Sequence, residues 1–492
     1  MWYQRDFTFH PKPHTHVFLH FGAANYAAHI FVNDMRVCDH EGGFTPFDCE
    51  ITNVVKNGDN FIVAAIENRR AANRIPALKF DWWDYGGLTR EVSLVEIPES
   101  YIDDYTLQLK RDFANQIDGY VHLIGAAAGT RVTLRIPQLH LEKAAVTDTD
   151  GRAEFSFTAP GLELWSPDHP RLYAIELNAG SDELKDDIGF RTIQVKSDQV
   201  LLNGKPIFLR GVSIHEEAPY RSGRAWSEQD SATLLGWAHE LHCNFVRLVH
   251  YPHVENETRL ADKPGIMVWS EIPVWVAIDW TDPHALEIAK QQLGEMIRRD
   301  RNKASVILWS ISNETPDSPA RNVFLHQLAV QARQQDPTRL ITSAIVAHFK
   351  GNTAPLDDPL GLDLDVLGYN EYLGWYTGTP ATIPNYTWKN PQHKPLIFSE
   401  FGAGAKPGLH GSVDLRFAEE YQENVYRQQF LMFWNIPFLR GVVPWVLMDF
   451  RSPNRQLPDY QDGYNRKDVI SDQGEKKKAF FTLQDHYAQI QK

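Results

Sequence analysis

The feature that most constrains the fold is an alternation of short apolar runs with amphipathic stretches, which begins near residue 194 and continues to the end of the chain. The apolar runs, such as NFVRLVHY, ASVILWSIS and PLIFSEF, have the length and composition of buried strands. About 300 residues of alternating strand and helix is the size and rhythm of a (β/α)8 TIM barrel. A doubly wound sheet is the alternative, but no glycine fingerprint supports it. We therefore predict a catalytic barrel domain over residues 194–492.

The first 193 residues predict two β-sandwiches. Over residues 1–97, alternating segments such as HVFLHF, HIFVND and NFIVAAI are separated by Gly, Asn and Asp turn signals. Residues 98–193 continue the pattern with DYTLQLKR, TRVTLRI and LYAIELNAG, at the spacing and total length of an immunoglobulin-like sandwich. The expected fold class is therefore a multidomain β plus α/β protein.

Charge and cysteine usage exclude several function classes. The net charge of −14 argues against a nucleic-acid partner, because phosphate binding requires a basic field. No run of 18 apolar residues occurs, so we expect no membrane partner. Cys38, Cys49 and Cys243 show neither metal-ligand spacing nor a disulfide framework. The N-terminal segment MWYQRDFTFH is unlike a signal peptide, so the default prediction is a cytoplasmic protein.

Two glutamates end predicted barrel strands. Glu314 follows VILWSISN, and Glu400 follows PLIFS. Active sites of TIM barrels lie at the carboxyl ends of the strands, so these two carboxylates are expected to face one pocket. Such a pair suits glycoside hydrolysis, in which one carboxyl group protonates the leaving oxygen while the other attacks the anomeric carbon or activates water. The acid role predicts a raised pKa for Glu314. Glu271 also ends a strand and is the rival candidate.

The sequence around these glutamates resembles glycoside hydrolase family 2. The resemblance lies in WSISNE with SEFGAG downstream, and in FLRGVSIHEEAP followed by NFVRLVHYPH and VWSEIPVW. It implies a jelly-roll sandwich, an immunoglobulin-like sandwich and a barrel, in that order. It also implies that Glu314 is the acid/base, that Glu400 is the nucleophile of a retaining mechanism, and that Asn313 binds the sugar 2-hydroxyl. Neither a metal nor an organic cofactor is needed, and a homo-oligomer is expected because many family members are dimers or tetramers.

Further local matches resemble the glucuronide-cleaving members of that family. They lie in FDWWDYGGLTREV, GYNEYLGWY and GYNRKDVIS, and they assign substrate-binding roles to Asp81, Asn370, Tyr372, Tyr376, Asn465 and Lys467. The last two form an N-x-K element that would grip a sugar carboxylate. A charged hydrogen bond of this kind contributes about 1.5–3 kcal/mol. The resemblance therefore predicts an exo-β-glycosidase that cleaves terminal β-D-glucuronides.

Three further strand-end residues are candidates for the pocket. His215 and His250 each follow an apolar strand, and they either contact sugar hydroxyls or are buried, hydrogen-bonded histidines that shape the wall. Trp445 ends another strand and offers either a stacking platform for the sugar or barrel packing. Arg247 is positioned in sequence to pair with the nucleophile and hold it ionised.

The chain also departs from the family pattern. Its WYQRDF strand begins at Met1, so the first sandwich is expected to lack its opening strands, and a partner could complete the edge of that sandwich. A signal peptide could have been lost with the missing strands, so the cellular compartment is not decided by the sequence. The stretch RSPNRQLPDYQDGY is long and basic, and it offers substrate contacts through Arg451 or Arg455. A β-galactosidase or β-galacturonidase of the same family therefore remains an alternative, as does a non-catalytic carbohydrate-binding scaffold.

Overall fold

The computed structural model describes residues 1–490 of the chain. It contains two compact units. One unit comprises residues 1–69, 85–192 and 295–304, and the other comprises residues 70–84, 193–294 and the described residues from 305 to 490.

The first unit opens with a sandwich of two antiparallel sheets. Its strands are β1 (Trp2–Phe9), β2 (Thr15–Phe21), β3 (Ala24–Asn25), β4 (Ala27–Val32), β5 (Met35–Glu41), β6 (Phe47–Glu50), β7 (Gly58–Glu67), β8 (Gly87–Leu88) and β9 (Val92–Pro98). One sheet has the order β1-β7-β4-β5 and the other has the order β6-β2-β9. Alternate residues such as Val17, Leu19 and Phe21 point into the shared core, as the period-two pattern of strands requires.

A disulfide joins Cys38 of β5 to Cys49 of β6, with the two Cα atoms 5.6 Å apart. The prediction that the cysteines form no disulfide was therefore wrong for this pair. β5 and β6 are edge strands of the two facing sheets. A separation of 11 residues along the chain does not reveal that approach. Cys243 is buried and has no disulfide partner.

The same unit contains a second sandwich of seven strands. They are β10 (Tyr101–Leu109), β11 (Gln116–Ile124), β12 (Arg131–Ile136), β13 (Leu141–Val146), β14 (Arg152–Thr158), β15 (Tyr173–Ala179) and β16 (Asp182–Ile188). A three-stranded sheet, β10-β11-β14, faces a four-stranded sheet, β13-β12-β15-β16. Seven antiparallel strands in this division are typical of an immunoglobulin-like sandwich.

The second unit is built on parallel strands. Its strands are β17 (Ile193–Lys196), β18 (Gln199–Leu202), β19 (Lys205–Pro206), β20 (Leu209–Arg210), β21 (Ser213–His215), β22 (Phe245–Val249), β23 (Met267–Glu271), β24 (Val306–Asn313), β25 (Leu340–Val346), β26 (Thr353–Ala354), β27 (Leu367–Asn370), β28 (Thr387–Trp388), β29 (Leu396–Glu400), β30 (Leu439–Val442), β31 (Phe450–Arg451) and β32 (Tyr464–Asn465). The helices of the chain are α1 (Glu228–Glu240), α2 (Glu255–Ala261), α3 (Pro283–Asp300), α4 (Pro319–Gln335), α5 (Glu419–Phe433) and α6 (Lys478–Ile490).

Nine of these strands form one parallel sheet in the order β20-β30-β29-β27-β25-β24-β23-β22-β21. β20 pairs with β30, and β21 pairs with β22. Because β20 and β21 are consecutive pieces of one chain segment, joined at Gly211 and Val212, the sheet closes into a barrel of eight strand positions. Every residue of β22, β23 and β24 is buried, which explains their continuous apolar runs. Together with the two sandwiches, the barrel confirms the predicted fold class.

The carboxyl ends of all these parallel strands lie at one mouth of the barrel. Among the described residues, no helix has both the length and the apolar character that a bilayer crossing requires. Within residues 1–490, no group of three or more His, Cys, Asp or Glu side chains is arranged to hold a metal ion.

Candidate active site

A cavity of about 530 Å³ opens at the carboxyl ends of the barrel strands. Nine of the twelve predicted site residues line it: Asp81, His250, Glu314, Asn370, Tyr372, Tyr376, Glu400, Trp445 and Lys467. The other three, His215, Asn313 and Asn465, lie just behind its wall. Both predicted catalytic glutamates therefore face a single hollow, although 86 positions of sequence separate them.

Glu400 ends β29 and both of its carboxylate oxygens are held. Oε1 accepts a hydrogen bond from Arg247 Nη1 at 2.8 Å, and Oε2 accepts one from the Tyr372 hydroxyl at 2.6 Å. A buried guanidinium and a phenol donor both stabilise negative charge on a carboxylate. Glu400 is therefore presented to the cavity with both of its oxygens oriented, as a nucleophile requires.

Glu314 directly follows β24 and stands in a left-handed backbone conformation, with φ of 53°. Its Oε1 accepts a hydrogen bond from Asn370 Nδ2 at 3.0 Å. Burial and then the negative charge of Glu400 raise the pKa of Glu314 to about 7. A carboxyl group with this pKa carries a proton at neutral pH and can also release it, as an acid/base residue must.

Glu271, the rival carboxylate, lies outside the lining of the cavity. It is fully buried and accepts hydrogen bonds from Arg247, His250, Ser310 Oγ and Trp269 Nε1. Burial opposes its charge, but Arg247 and then His250 outweigh that effect and lower the pKa of Glu271. Because Glu271 is fully buried outside the cavity lining, its carboxylate is out of reach of a substrate and anchors Arg247 and His250 instead.

Asp81 lies at another wall of the cavity, where it is enclosed by three donors. Its carboxylate accepts hydrogen bonds from Ser452 Oγ at 2.6 Å and from Arg455 Nε at 3.0 Å, and Asn465 Nδ2 lies 3.4 Å away. Arg455 also pairs with Asp81 through Nη2. The sequence indicated a basic loop here. It gave no sign that Ser452 holds Asp81, because the two residues are 371 positions apart.

Lys467 is only 4% exposed although it is a lysine, and it lines the same cavity as the two glutamates. Its Nζ lies 5.1 Å from the ring centre of Tyr376 and 5.2 Å from that of Tyr372. Gln422 of α5 holds the Lys467 carbonyl oxygen at 3.2 Å, so the backbone of this loop is fixed. Lys467 therefore differs from the solvated surface lysine that sequence alone allows.

Tyr376 stands between the two cations of this wall. Arg455 Nη1 donates to its hydroxyl oxygen at 3.2 Å. Burial alone would raise the pKa of Tyr376, but the charges of Lys467 and Arg455 outweigh it and lower that pKa. This part of the cavity is thus electropositive and suited to an anionic group of a ligand.

The three residues behind the wall have distinct surroundings. His215 is buried, stacks on Phe450 with ring centres 4.0 Å apart, and contacts the Tyr251 hydroxyl at 3.3 Å. Burial lowers the pKa of His215 well below its usual value, so this ring is neutral. Asn465 is buried against the loop, where its Oδ1 accepts from the Lys467 backbone N–H at 3.2 Å.

Asn313 retains one unused donor. Its Oδ1 accepts hydrogen bonds from Arg247 at 2.8 Å and from Asn370 at 3.1 Å. Its Nδ2 is buried and has no hydrogen-bond partner among residues 1–490. A buried amide donor left open beside the catalytic carboxylates is suited to a ligand hydroxyl.

Aromatic and apolar side chains complete the cavity. His250 stacks against Trp445 with ring centres 4.8 Å apart, so both form one wall. Sequence reasoning missed Trp275, Val346 and Phe349, which also line the cavity. The signal for Trp275 was its place in VWSEIPVW, just after a strand end. Val346 ends β25, next to the strand that leads into Glu314, so the apolar surface lies on the acid's side.

Comparison with known proteins places these features in a family. The model for glycosyl hydrolases family 2, TIM barrel domain, matches residues 193–491, and the model for glycosyl hydrolases family 2, sugar binding domain, matches residues 1–98. The chain is 31% identical to a β-glucuronidase of Canis lupus familiaris, over 99% of this chain and 81% of that protein.

Two solved structures are similar over nearly the whole chain. The Faecalibacterium prausnitzii β-glucuronidase superimposes with a TM-score of 0.88 at 27% identity, covering 99% of this chain and 88% of that one. A family 2 β-galacturonidase from Eisenbergiella tayi, bound to glycerol, has a TM-score of 0.87 at 25% identity, with the same coverage of both chains.

Proposed function

The chain belongs to glycoside hydrolase family 2, and from this premise we propose that it is a retaining exo-β-glycosidase that hydrolyses terminal β-D-glucuronides. The observation that carries the proposal is the position of Lys467. This buried cation lines the same cavity as Glu314 and Glu400, where it can meet the carboxylate that distinguishes a uronic acid from a neutral hexose. Relatives described as β-glucuronidases support the same substrate class.

In the first step of the proposed reaction, a Glu400 oxygen attacks the anomeric carbon. The bond from that carbon to the leaving oxygen breaks, and Glu314 donates its proton to the leaving group. A covalent glycosyl-enzyme ester results. In the second step, Glu314 accepts a proton from water as the water oxygen attacks the same carbon, which frees Glu400 and the sugar. The configuration at the anomeric carbon is retained because it is inverted twice.

Neighbouring residues prepare each catalytic group for this role. Arg247 and Tyr372 fix both oxygens of Glu400, so attack requires little reorganisation. Asn370 holds Glu314 at 3.0 Å and also donates to Asn313. The free Nδ2 of Asn313 would donate to the sugar 2-hydroxyl, a contact that strengthens in the transition state of such reactions.

The electropositive wall would select an acid sugar. A charged hydrogen bond from Lys467 to the substrate carboxylate is worth about 1.5–3 kcal/mol, which is roughly a 10- to 150-fold preference over the neutral sugar. Asp81, held by Arg455 and Ser452, would accept a hydrogen bond from a sugar hydroxyl.

A β-galacturonidase is the second candidate because the cavity wall around Asp81 carries Arg455. Glucuronide and galacturonide differ only in the orientation of the 4-hydroxyl, and an aspartate paired with a guanidinium offers that hydroxyl both an acceptor and a donor. The E. tayi β-galacturonidase shows that this fold also serves that sugar class in another protein.

The deciding experiment compares nitrophenyl β-glucuronide, β-galacturonide and β-galactoside side by side. We expect kcat/KM to be highest for the glucuronide and at least about tenfold lower for the galactoside. A higher value for the galacturonide would move the assignment to the second candidate. A preference for the galactoside would contradict the uronate assignment. No hydrolysis of any β-glycoside would leave a carbohydrate-binding scaffold.

We further propose the domain division 1–97, 98–193 and 194–492, and a homo-oligomer. β1 and β9 are edge strands of the first sandwich, and such edges favour pairing with another chain.

The Cys38–Cys49 bond favours an oxidising compartment over the predicted cytoplasm, since disulfides are rare in reducing cytosol. Light scattering of the purified protein tests the oligomer, and thiol alkylation of whole cells before lysis tests the compartment.

A further inference from the structure

Glu371 is a buried carboxyl group that the proposed reaction does not use. It lies between Asn370, which contacts Glu314, and Tyr372, which contacts Glu400. The Glu371 side chain contacts neither catalytic carboxylate. It is 2% exposed and instead contacts the backbone of Leu373 and the side chain of Gln429 on α5.

The contacts of Glu371 and Gln429 meet on one residue. The Leu373 N–H donates to Glu371 Oε2 at 2.8 Å, and Gln429 Nε2 donates to the Leu373 carbonyl oxygen at 3.1 Å. The remaining oxygens, Glu371 Oε1 and Gln429 Oε1, are both buried and have no donor among residues 1–490. Glu371 and Gln429 are joined through Leu373 and contact each other, so a proton on Glu371 would supply a donor that this group of buried oxygens lacks.

We propose that Glu371 is a positioning residue that keeps its proton in the folded enzyme and donates it to the Gln429 side chain, which closes a ring of hydrogen bonds around Leu373. This ring ties the segment 371–377 to α5. The same segment carries Tyr372, whose hydroxyl orients the nucleophile, and Tyr376, which stands beside Lys467. Glu371 is among the residues that line the cavity, but its carboxyl group is held against Leu373 and Gln429, so in this proposal it acts through Tyr372. The kinetic part of this inference rests on the proposed hydrolase function.

The surroundings of Glu371 contain no countercharge. Burial raises its pKa to about 8, and only the Leu373 N–H and Gln429 oppose that effect. On the adjacent elements, the Tyr426 hydroxyl of α5 is buried and has no hydrogen-bond partner among residues 1–490, and three other titratable groups are engaged elsewhere. Tyr421 of α5 donates to the Gly374 carbonyl, Arg416 stacks over Trp375, and the Glu400 side chain faces Arg247 and Tyr372. An ionised Glu371 would therefore be buried with the Leu373 and Gln429 donors and no countercharge.

Two isosteric variants separate a hydrogen-bonding role from simple filling of space. Glu371→Gln keeps a donor and an acceptor, so we expect kcat within about threefold of wild type. Glu371→Met fills a similar volume without either, so we expect kcat to fall about tenfold or more while KM changes by less than about threefold. Equal kcat values for the two variants, with folding confirmed by circular dichroism, would show that Glu371 is a space-filling residue only.

A double-mutant cycle tests whether the effect passes through Tyr372. In a Tyr372→Phe background the nucleophile has already lost its phenol donor. We therefore expect Glu371→Met to lower kcat by less than about twofold there. A full tenfold loss in both backgrounds would mean that Glu371 does not act through Tyr372.

A thermal measurement tests the proton without any substrate. The folded-state pKa of Glu371 is raised, so between its usual value and about 8 the folded state binds more protons than the unfolded state. Stability from this group therefore falls as pH rises across that window and is constant above it. We expect the wild-type Tm to fall relative to that of Glu371→Gln between pH 5 and pH 8.

A constant difference in Tm across that range would overturn the claim that Glu371 is protonated. This measurement also separates the two proposals. If the wild type cleaves no β-glycoside but the pH-dependent difference in Tm is present, the proposed function is contradicted. The claim that Glu371 is protonated in the folded protein is then still supported.

Discussion

Arg247 and Glu400 form a buried ion pair, with Nη1 of the guanidinium 2.8 Å from Oε1 of the carboxylate. Arg247 is fully enclosed and also binds Glu271, so two carboxylates share one cation. Removing Arg247 would leave two neighbouring carboxylates without a countercharge in a place that water cannot reach. The pair therefore links the chemistry of the nucleophile to the stability of the barrel.

Glu400→Gln is expected to lower kcat on the preferred glycoside by at least about 10⁴-fold, because an amide cannot form the glycosyl ester. The variant should have a Tm equal to or above that of the wild type, since Arg247 keeps Glu271 as its countercharge and the surplus negative charge of the cluster is removed. Initial rates and differential scanning calorimetry measure the two effects. Glu287→Gln, at an exposed position of α3, is the matched control and should behave as wild type. A Glu400→Gln enzyme with wild-type turnover would refute the nucleophile assignment.

The activity should decline at alkaline pH through Glu314. The acid must be protonated in the first step, and its pKa is raised to about 7. We therefore expect kcat/KM to fall about tenfold per pH unit above that value. Glu314→Gln should abolish this alkaline decline in the pH profile. It should lower kcat/KM more for substrates with poor leaving groups than for nitrophenyl glycosides, because nitrophenolate departs without a proton. A pH profile that stays flat to pH 9 would contradict the acid role.

Lys467→Met tests the selection of an acid sugar. We expect kcat/KM for the β-glucuronide to fall roughly 10- to 150-fold, since one charged hydrogen bond is lost. Turnover of the neutral β-glucoside should be unchanged or higher. Lys263→Met, at an exposed lysine, is the matched control and should alter neither substrate. An equal loss on both sugars would indicate that Lys467 supports the fold of the cavity and does not read the carboxylate.

The disulfide should contribute to the stability of the first sandwich. Closing a loop of 11 residues between Cys38 and Cys49 is worth about 2–3 kcal/mol. We expect a reductant to lower the Tm of the wild type and to leave a Cys38→Ser, Cys49→Ser double variant unchanged. Three reactive thiols in the denatured, unreduced protein would show that the bond is absent in solution.

Periodic features of this chain were predictable from its sequence. Glu314 and Glu400 were identifiable because each ends a fully buried strand, and parallel strands bring their carboxyl ends to one mouth. The same reasoning placed Trp445 and His250 in the cavity wall. It also suggested His215, but one residue at a strand end can point into the cavity or behind its wall, and His215 stacks behind it on Phe450.

Contacts made by irregular segments were not predictable. Asp81 meets Arg455 across 374 positions of sequence, and neither residue lies in a strand or helix whose period would fix its direction. Burial of Glu371 was hidden for a related reason, since a glutamate in a loop is ordinarily solvated. The approach of Cys38 to Cys49 depends on how two sheets face each other, which local pattern does not encode.

The left-handed backbone at Glu314 places catalytic activity and folding stability in conflict at that one residue. A conformation with φ of 53° costs an ordinary L-residue about 1–2 kcal/mol, whereas glycine adopts it freely. Selection for thermal stability alone would therefore favour glycine at position 314, and the resulting variant would lack the proton donor. Directed evolution of a more thermostable enzyme therefore requires an activity screen at every round. Thermal stability favours glycine at this position, whereas catalysis requires glutamate.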